Sequence, residues 1–521
     1  MDLTPLLPFA AAAVDLSTKR GVGAIAAAVA VIALSGLGDP LLDLLNFVFL
    51  LTALYSLWYM KDAERAGWYW AWLDVFYGSM LLFLTSSNWL WILAGWGGLD
   101  AASWALILTY RDGHELGMVG DGRPGRFTRW LWSPSDSALR AIATVELGTA
   151  ALAVGMGLAA AEYGPDISSW RVLPPAAAAL IMLAAFVKSA QLPFTDWLMT
   201  AMSAPTPVSA LLHSATMVAA GPILLARLHQ PLASYWLYAM AVGLATAVYG
   251  GLAALWQREP KVLLAASTAS YLGLATAFSI ADPAGAISLL VAHGFAKAAL
   301  FMAVGEAIHE RGTRFPSSYS LLAKAAMALS LASFLGLTPA GAAAKLALPE
   351  WEIVFSALTA GYVGRLVLGA GTEGRPSPLS AIALAASALA FTRPPAVPSP
   401  LWLIALVGLA LYKLPPLEAF EKRLYLPELF AAAGRALRAL ASAVGSADLA
   451  VDRALLSAPS AWTRLAGALA SADGAIDKAL HVDLINAVRR ASARLAKIDV
   501  EVFMYAAGVF TLVIFVALMF L

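Results

Sequence analysis

The chain has 521 residues, 60% of them hydrophobic and 13% charged, with a formal net charge of +1 and no cysteine. A soluble chain carries about twice that share of charge, and a near-neutral chain has no bulk attraction for nucleic acid. The missing thiols exclude disulfides, cysteine-ligated iron–sulfur clusters and thiol nucleophiles on this chain; no Walker A or HExxH sequence is present, and no GxGxxG follows a predicted strand.

Apolar runs of about 15–22 residues recur along the length, each enough or nearly enough to cross about 30 Å of hydrocarbon as a helix. The sequence reads as an all-α polytopic membrane protein with about 16 transmembrane helices. The first spans fall at 3–17, 22–37, 41–60, 68–86 and 88–109. The stretch from Leu3 to Leu16 holds two prolines and reads as a membrane segment rather than a cleaved leader. Next come 136–161, a broken segment at 172–200, and spans at 206–228, 232–256, 260–281 and 283–308. A second broken segment covers 319–347, before 350–370, 377–392 and 400–415. A polar–apolar mixture, 416–500, precedes a final anchoring helix at 502–521.

Loop charge tests the parity of this count. With the N-terminus outside, loops after odd-numbered spans hold Lys19, Arg20, Lys61, Arg65, Arg111, Arg123, Arg126, Arg129, Arg258, Lys261, Arg311, Arg314 and Arg375. The opposite loops hold Arg171, Arg227 and Arg393. This is the positive-inside asymmetry, and it places both termini outside.

The mixture at 416–500 is too polar to span. Ile476, Leu480, Leu484 and Val488 repeat every fourth residue between charged clusters, which is one helical face. It begins on the cytoplasmic side by charge parity. From pattern alone two readings stand: a helix along the membrane surface bridging neighbouring subunits, or an adsorbed tail or small cytosolic cap.

Ionisable residues inside spans are functional candidates by default. The candidates, all in the central spans, are Asp100, Arg140, Glu146, Lys188, His213, His293, Lys297 and Lys345. Lys188 precedes a helix break at Pro193, and Lys345 follows one at Pro339. Matching interrupted spans are the trace of an internal inverted repeat. A half-helix end offers free backbone groups, water and a partial charge to an amine that exchanges protons. The competing reading for both lysines is a side chain that snorkels to the interface. His293 and Lys297 sit one helical turn apart and are neighbours on one face. His213 and His293 suit a proton relay, against the alternative of satisfied core histidines. Arg140 and Glu146 read as relay elements or ion-pair partners; six residues apart, each meets a different helix.

The stretch KSAQLPFTDWLMTAMSAPTPVSALLHSATMVAAGPILLARL, from Lys188 to Leu228, closely resembles the antiporter-like subunits of respiratory complex I. It is most similar to subunit L and to its relatives in Mrp antiporters and membrane-bound hydrogenases. REPKVLLAASTASYLG (258–273), HGFAKAALF (293–301) and LTPAGAAAK (337–345) extend the resemblance over roughly 70–350. It implies proton translocation through two half-channels joined by a polar axis. Lys188 is then the first-half lysine, His213 a connecting residue, Lys297 the central connector beside His293, and Lys345 the terminal lysine. It also turns 416–500 towards a lateral helix that bridges subunits, with 501–521 as its anchor. The implied division is 1–67, two half-channel repeats at 68–230 and 231–370, extra helices at 371–415, then the lateral region and the anchor.

The sequence departs from the family in places. AGWGGLD (94–100) has Gly97 where the family carries a glutamate beside the first lysine. Asp100, one turn on, is a substitute or an unrelated polar residue. Glu146 stands where subunit L relatives often carry a basic residue, and Leu289 replaces a common histidine. An opposite charge about 4 Å from an amine is worth roughly 4 kcal/mol at an effective dielectric of about 20, or about three pK units, so moving a partner switches the amine's charge.

The resemblance implies several assemblies. One is a complex I-like NADH, ferredoxin or F420H2 dehydrogenase in a prokaryotic inner membrane. Its iron–sulfur, flavin or nickel–iron cofactors would lie on partner subunits, with none on this chain. Others are a Mrp-type sodium/proton antiporter, an inorganic carbon uptake complex, or a scaffold that no longer conducts. The expected partners are other membrane subunits, further antiporter-like subunits against 416–500, the lipid bilayer, and protons or sodium.

Overall fold

A computed structural model describes residues 4–214, 216–338, 352–391, 406–415 and 417–456. Residues Met1–Leu426 form one compact unit and Pro427–Leu521 a second. Lys345, Pro339, the rest of the lateral region from 457 and the final anchor lie outside the described residues.

The first unit is helical. In chain order it holds α1 (Leu7–Thr18), α2 (Val22–Ser35), α3 (Pro40–Tyr59), α4 (Ala66–Thr85), α5 (Trp89–Ile107), α6 (Pro134–Tyr163), α7 (Pro175–Lys188) and α8 (Asp196–Thr200). It continues with α9 (Thr206–Ser214), α10 (Ala220–Arg227), α11 (Trp236–Trp256), α12 (Pro260–Phe278), α13 (Pro283–Arg311), α14 (Leu321–Phe334), α15 (Glu352–Leu368), α16 (Pro378–Ala388) and α17 (Glu418–Glu421). Among the described residues, seven helical segments are long and apolar enough to cross a membrane. α18 (Leu426–Leu456) has 31 residues, about 46 Å of helix.

Local chemistry sets these boundaries. α6 opens on a capping box of Ser133 and Asp136, with Pro134 at its first position, and stops at Gly164. α13 starts from Asp282, whose carboxylate accepts from Gly285 N at 3.0 Å, and ends at left-handed Gly312. This 29-residue helix is the centre of the unit, flanked by α3, α9, α12, α14 and α16. Its Glu306 is buried and accepts from Ser320 Oγ at 2.6 Å and Ser377 Oγ at 2.5 Å. Those serines cap α14 and α16, so one carboxylate ties three helices together.

α11 and α12 touch backbone to backbone. A Cβ at Gly243 would lie 2.5 Å from Ala277 N and from Gly273 O, and one at Gly250 would lie 2.5 Å from Ser270 N. Gly243→Ala is expected to cost about 1–3 kcal/mol as overpacking, read as a lower thermal midpoint in detergent. Gly157→Ala, where a Cβ meets open space, is the control and should leave the midpoint unchanged or raised.

The structure departs from the sequence expectation in three places. The loop after α5 folds into an antiparallel hairpin, β1 (Val119–Pro124) with β2 (Arg129–Trp132), made possible by Gly120 at φ 107° and Gly122 at φ 72°. A short parallel pair, β3 (Ser318–Tyr319) with β4 (Gly371–Thr372), joins two other loops. The span expected as one helix at 206–228 is interrupted between α9 and α10, with Thr216 at φ −121°, ψ −107°. No proline or glycine occupies 215–219, but Gly221 and Pro222 stand in the first turn of α10, where a proline is tolerated at a helix start and not in a helix interior.

Candidate functional site

α7 stops at Lys188, and the chain then runs irregularly through Ser189 to Thr195 before α8. Ala190 takes φ 51°, a left-handed conformation that few non-glycine residues adopt. The groups freed by the break find partners. Gln191 N donates to Phe186 O at 2.8 Å, Trp197 Nε1 donates to Val187 O at 3.1 Å, and Leu192 N donates to Thr246 Oγ1 of α11 at 2.9 Å. Pro193 lies inside this break, with its two flanks held by α11 and by the end of α7.

Lys188 is 1% exposed, so it does not snorkel. Its Nζ donates to Asp100 Oδ1 of α5 and to Trp96 O at 3.0 Å, and it lies 4.6 Å from the centroid of the Trp96 ring. The other Asp100 oxygen accepts from Thr149 Oγ1 of α6 at 2.6 Å. Three helices therefore converge on one buried ion pair. Position 97 has a different outlook, since a Cβ on Gly97 would meet no atom within 4 Å. On this α5 it is residue 100 that faces the lysine. Glu146, one turn before Thr149, is exposed on α6 but within electrostatic reach of Asp100 and Lys188.

Arg140 belongs to a second cluster. Its Nη1 meets Asp196 Oδ2 at 2.7 Å, at the start of α8, and its guanidinium lies 5.3 Å from the Trp132 ring. Arg423 approaches the same carboxylate at 3.5 Å and packs against Trp130 and Trp132. Arg140 is thus an ion-pair partner of the segment after the break. The hairpin and the strap before α18 complete this arrangement.

His213, His293 and Lys297 come together near the second break. His293 Nδ1 is 3.2 Å from Ser214 O, and its ring stacks on Tyr271 at 5.5 Å. His213 is fully buried, 5.0 Å from the Phe301 ring, and neither of its ring nitrogens has a partner among the described residues. Lys297 is fully buried; its Nζ donates to Ser267 Oγ of α12 and faces the rings of Phe334 and Tyr362 at 5.4 and 5.6 Å. Unlike Lys188, it has no carboxylate partner among the described residues. His213 and Lys297 lie within electrostatic reach of each other.

Sequence reasoning took Lys261 and Arg314 for loop charges. Both are buried: Lys261 Nζ donates to Met202 O at 3.0 Å and Ala204 O at 2.5 Å, and Arg314 pairs with Glu259. Lys261 follows Pro260 at the first turn of α12, where an apolar run has begun, and that position was the available signal. Lys261 is also within electrostatic reach of His213. No group of three or more metal-ligating side chains occurs among the described residues.

Residues 167–370 match the transmembrane family described as NADH:quinone oxidoreductase/Mrp antiporter. NADH-quinone oxidoreductase subunit L of Pseudomonas aeruginosa is 32% identical over 369 residues, 64% of this chain and 55% of that protein. NADH-ubiquinone oxidoreductase chain 5 of Anopheles arabiensis is 33% identical over 271 residues, 51% of this chain and 67% of that protein. The chain belongs to this antiporter-like family. It spans about half the length of the subunit L relative, 55% in the P. aeruginosa protein. A Mrp complex from Dietzia has the same fold, with a TM-score of 0.63, 24% identity, and coverage of 95% of this chain and 62% of that one. The family match contains Lys188, His213, His293 and Lys297, whereas Asp100, Arg140 and Glu146 precede it. Lys188, inside the matched region, is thus paired with a carboxylate from outside it.

Proposed function

We propose that this chain moves protons across a prokaryotic inner membrane as the subunit L-type member of a complex I-like NADH, ferredoxin or F420H2 dehydrogenase or a related assembly. The observation that carries the reading is the buried Lys188–Asp100 pair beside a broken helix. An amine held by one movable carboxylate has two states. With Asp100 in contact the ammonium is favoured, and when the break at 189–195 shifts and the pair opens, the proton leaves.

The second group, His213, His293 and Lys297, offers histidine nitrogens without a partner among the described residues, beside the end of α9. Those are the donors and acceptors a relay needs. Asp100 serves as the charge modulator that Gly97 does not supply, with Glu146 as a second carboxylate near the pair. Lys345, six residues after Pro339 in sequence, acts as the terminal lysine. Redox chemistry, with its iron–sulfur, flavin or nickel–iron groups, belongs to partner subunits, and the region 416–500 bridges to further antiporter-like subunits.

A second reading, sodium/proton exchange without redox, draws on the likeness of fold to the Mrp complex across 95% of the chain. Purification from the native membrane, identification of the co-purifying subunits and reconstitution into vesicles tests both. Proton uptake driven by an electron donor, with iron–sulfur or nickel–iron partners, supports the first. Uptake driven by a sodium gradient, with small antiporter subunits, supports the second. Vesicles that show neither leave the chain as a scaffold.

A further inference from the structure

A pair of buried acids lies in the first helices, away from the lysines and histidines. Asp15, near the end of α1, is fully buried and reaches the first turn of α2. Its Oδ1 accepts from Gly23 N at 2.9 Å and from Thr18 Oγ1 at 3.2 Å, and its Oδ2 accepts from Ala24 N at 2.7 Å. Glycine permits this approach, because a Cβ on residue 23 would stand 3.0 Å from Asp15 Cγ and 2.8 Å from Ala11 O. Backbone amides and the positive end of α2 suit an ionised carboxylate there.

Asp74 of α4 is also fully buried; α4 packs on α1, where a Cβ on Gly67 would lie 2.7 Å from Leu16 O and one on Gly78 2.7 Å from the Phe9 ring, and the Asp74 carboxyl is within hydrogen-bonding reach of Asp15. Neither Asp74 oxygen receives a hydrogen bond from any described residue. Ionised carboxylates only accept, so two of them in dry contact repel and have no bond to share. With a proton on one, the contact becomes an O–H···O bond to a charged acceptor, which is among the strong hydrogen bonds. Asp15 already has three donors, so Asp74 is the carrier.

The surrounding elements offer no other charge to balance it. α2 contributes VGAIAAAVAVIALS, without an ionisable residue. On α4 the titratable neighbours are Tyr69, whose hydroxyl is 2.5 Å from Ser56 Oγ of α3, and Tyr77, whose hydroxyl donates to Asn46 Oδ1 at 2.7 Å. Asp100 of α5 is taken by Lys188, and Lys19, beyond the end of α1, is exposed.

We propose that Asp15 and Asp74 form a proton-binding site in the N-terminal helices, one proton being held between the two carboxyl groups. The site stands apart from the Lys188 and Lys297 groups and does not depend on how those move protons.

Infrared difference spectroscopy of the full chain in its complex, in lipid and with ¹³C-labelled aspartate, tests it. At pH 7 the wild type should show a carboxylic-acid carbonyl band that moves with the label. Asp74→Asn should remove it. Asp15→Asn should keep but shift it, since the acceptor changes, and Asp100→Asn should leave it in place. A wild type without such a band overturns the proposal, as does a band that survives Asp74→Asn. Loss of the band on adding sodium at fixed pH also overturns it, in favour of a metal cation between the acids. Should Asp74→Asn fail to fold, the labelled wild type and Asp15→Asn still decide the matter.

Discussion

Asp100→Asn is expected to abolish proton uptake in reconstituted vesicles and to destabilise the chain by about 3–5 kcal/mol, the cost of leaving one member of a buried ion pair alone. The Lys188 ammonium is 1% exposed, and its other contacts are the Trp96 carbonyl and ring. Neither neutralises a charge, so the lysine must lose its proton or draw in water. Adding Lys188→Met to Asp100→Asn should restore most of the thermal midpoint and none of the transport. Wild-type uptake by Asp100→Asn would remove the carboxylate from the path, and an unchanged midpoint would show that the pair is wet.

Lys297→Met should behave in the opposite sense for stability. This amine is fully buried against one serine hydroxyl and two aromatic faces, with no carboxylate beside it among the described residues. Methionine has a similar length and needs no hydrogen bond, so its introduction should hold or raise the stability by about 1 kcal/mol or more, read as an unchanged or higher thermal midpoint. Transport should fall to background. The two lysines therefore give a paired test in which both variants stop uptake and only the Asp100 variant weakens the fold. Full uptake by Lys297→Met would take the central amine out of the route.

Hydropathy made the helices readable, because lipid demands long apolar runs and little else competes with that signal. The predicted spans 22–37, 68–86 and 136–161 end within two residues of α2, α4 and α6. The Lys188 break was readable because Pro193 marks it. The break between α9 and α10 was missed, although Gly221 and Pro222 mark the start of α10, because the apolar run continues unbroken across it. Asp100 could be picked out as an acid inside a span, but its pairing with Lys188 needed the rotation of α5. The acids at 15 and 74 escaped notice for a related reason. Asp15 sits at a helix end and reads as a surface cap, and Asp74 lies in an aromatic run where one charge passes for an interfacial residue.

The glycine seam between α11 and α12 limits where this protein can bend. With main chains in direct contact at Gly243, Gly250 and Gly273, neither helix can slide or roll without a collision of backbone atoms. The two behave as one rigid plate. Any alternation between inward and outward openings would then fall to the irregular stretch at 189–195, next to Lys188, and to the interruption at Thr216.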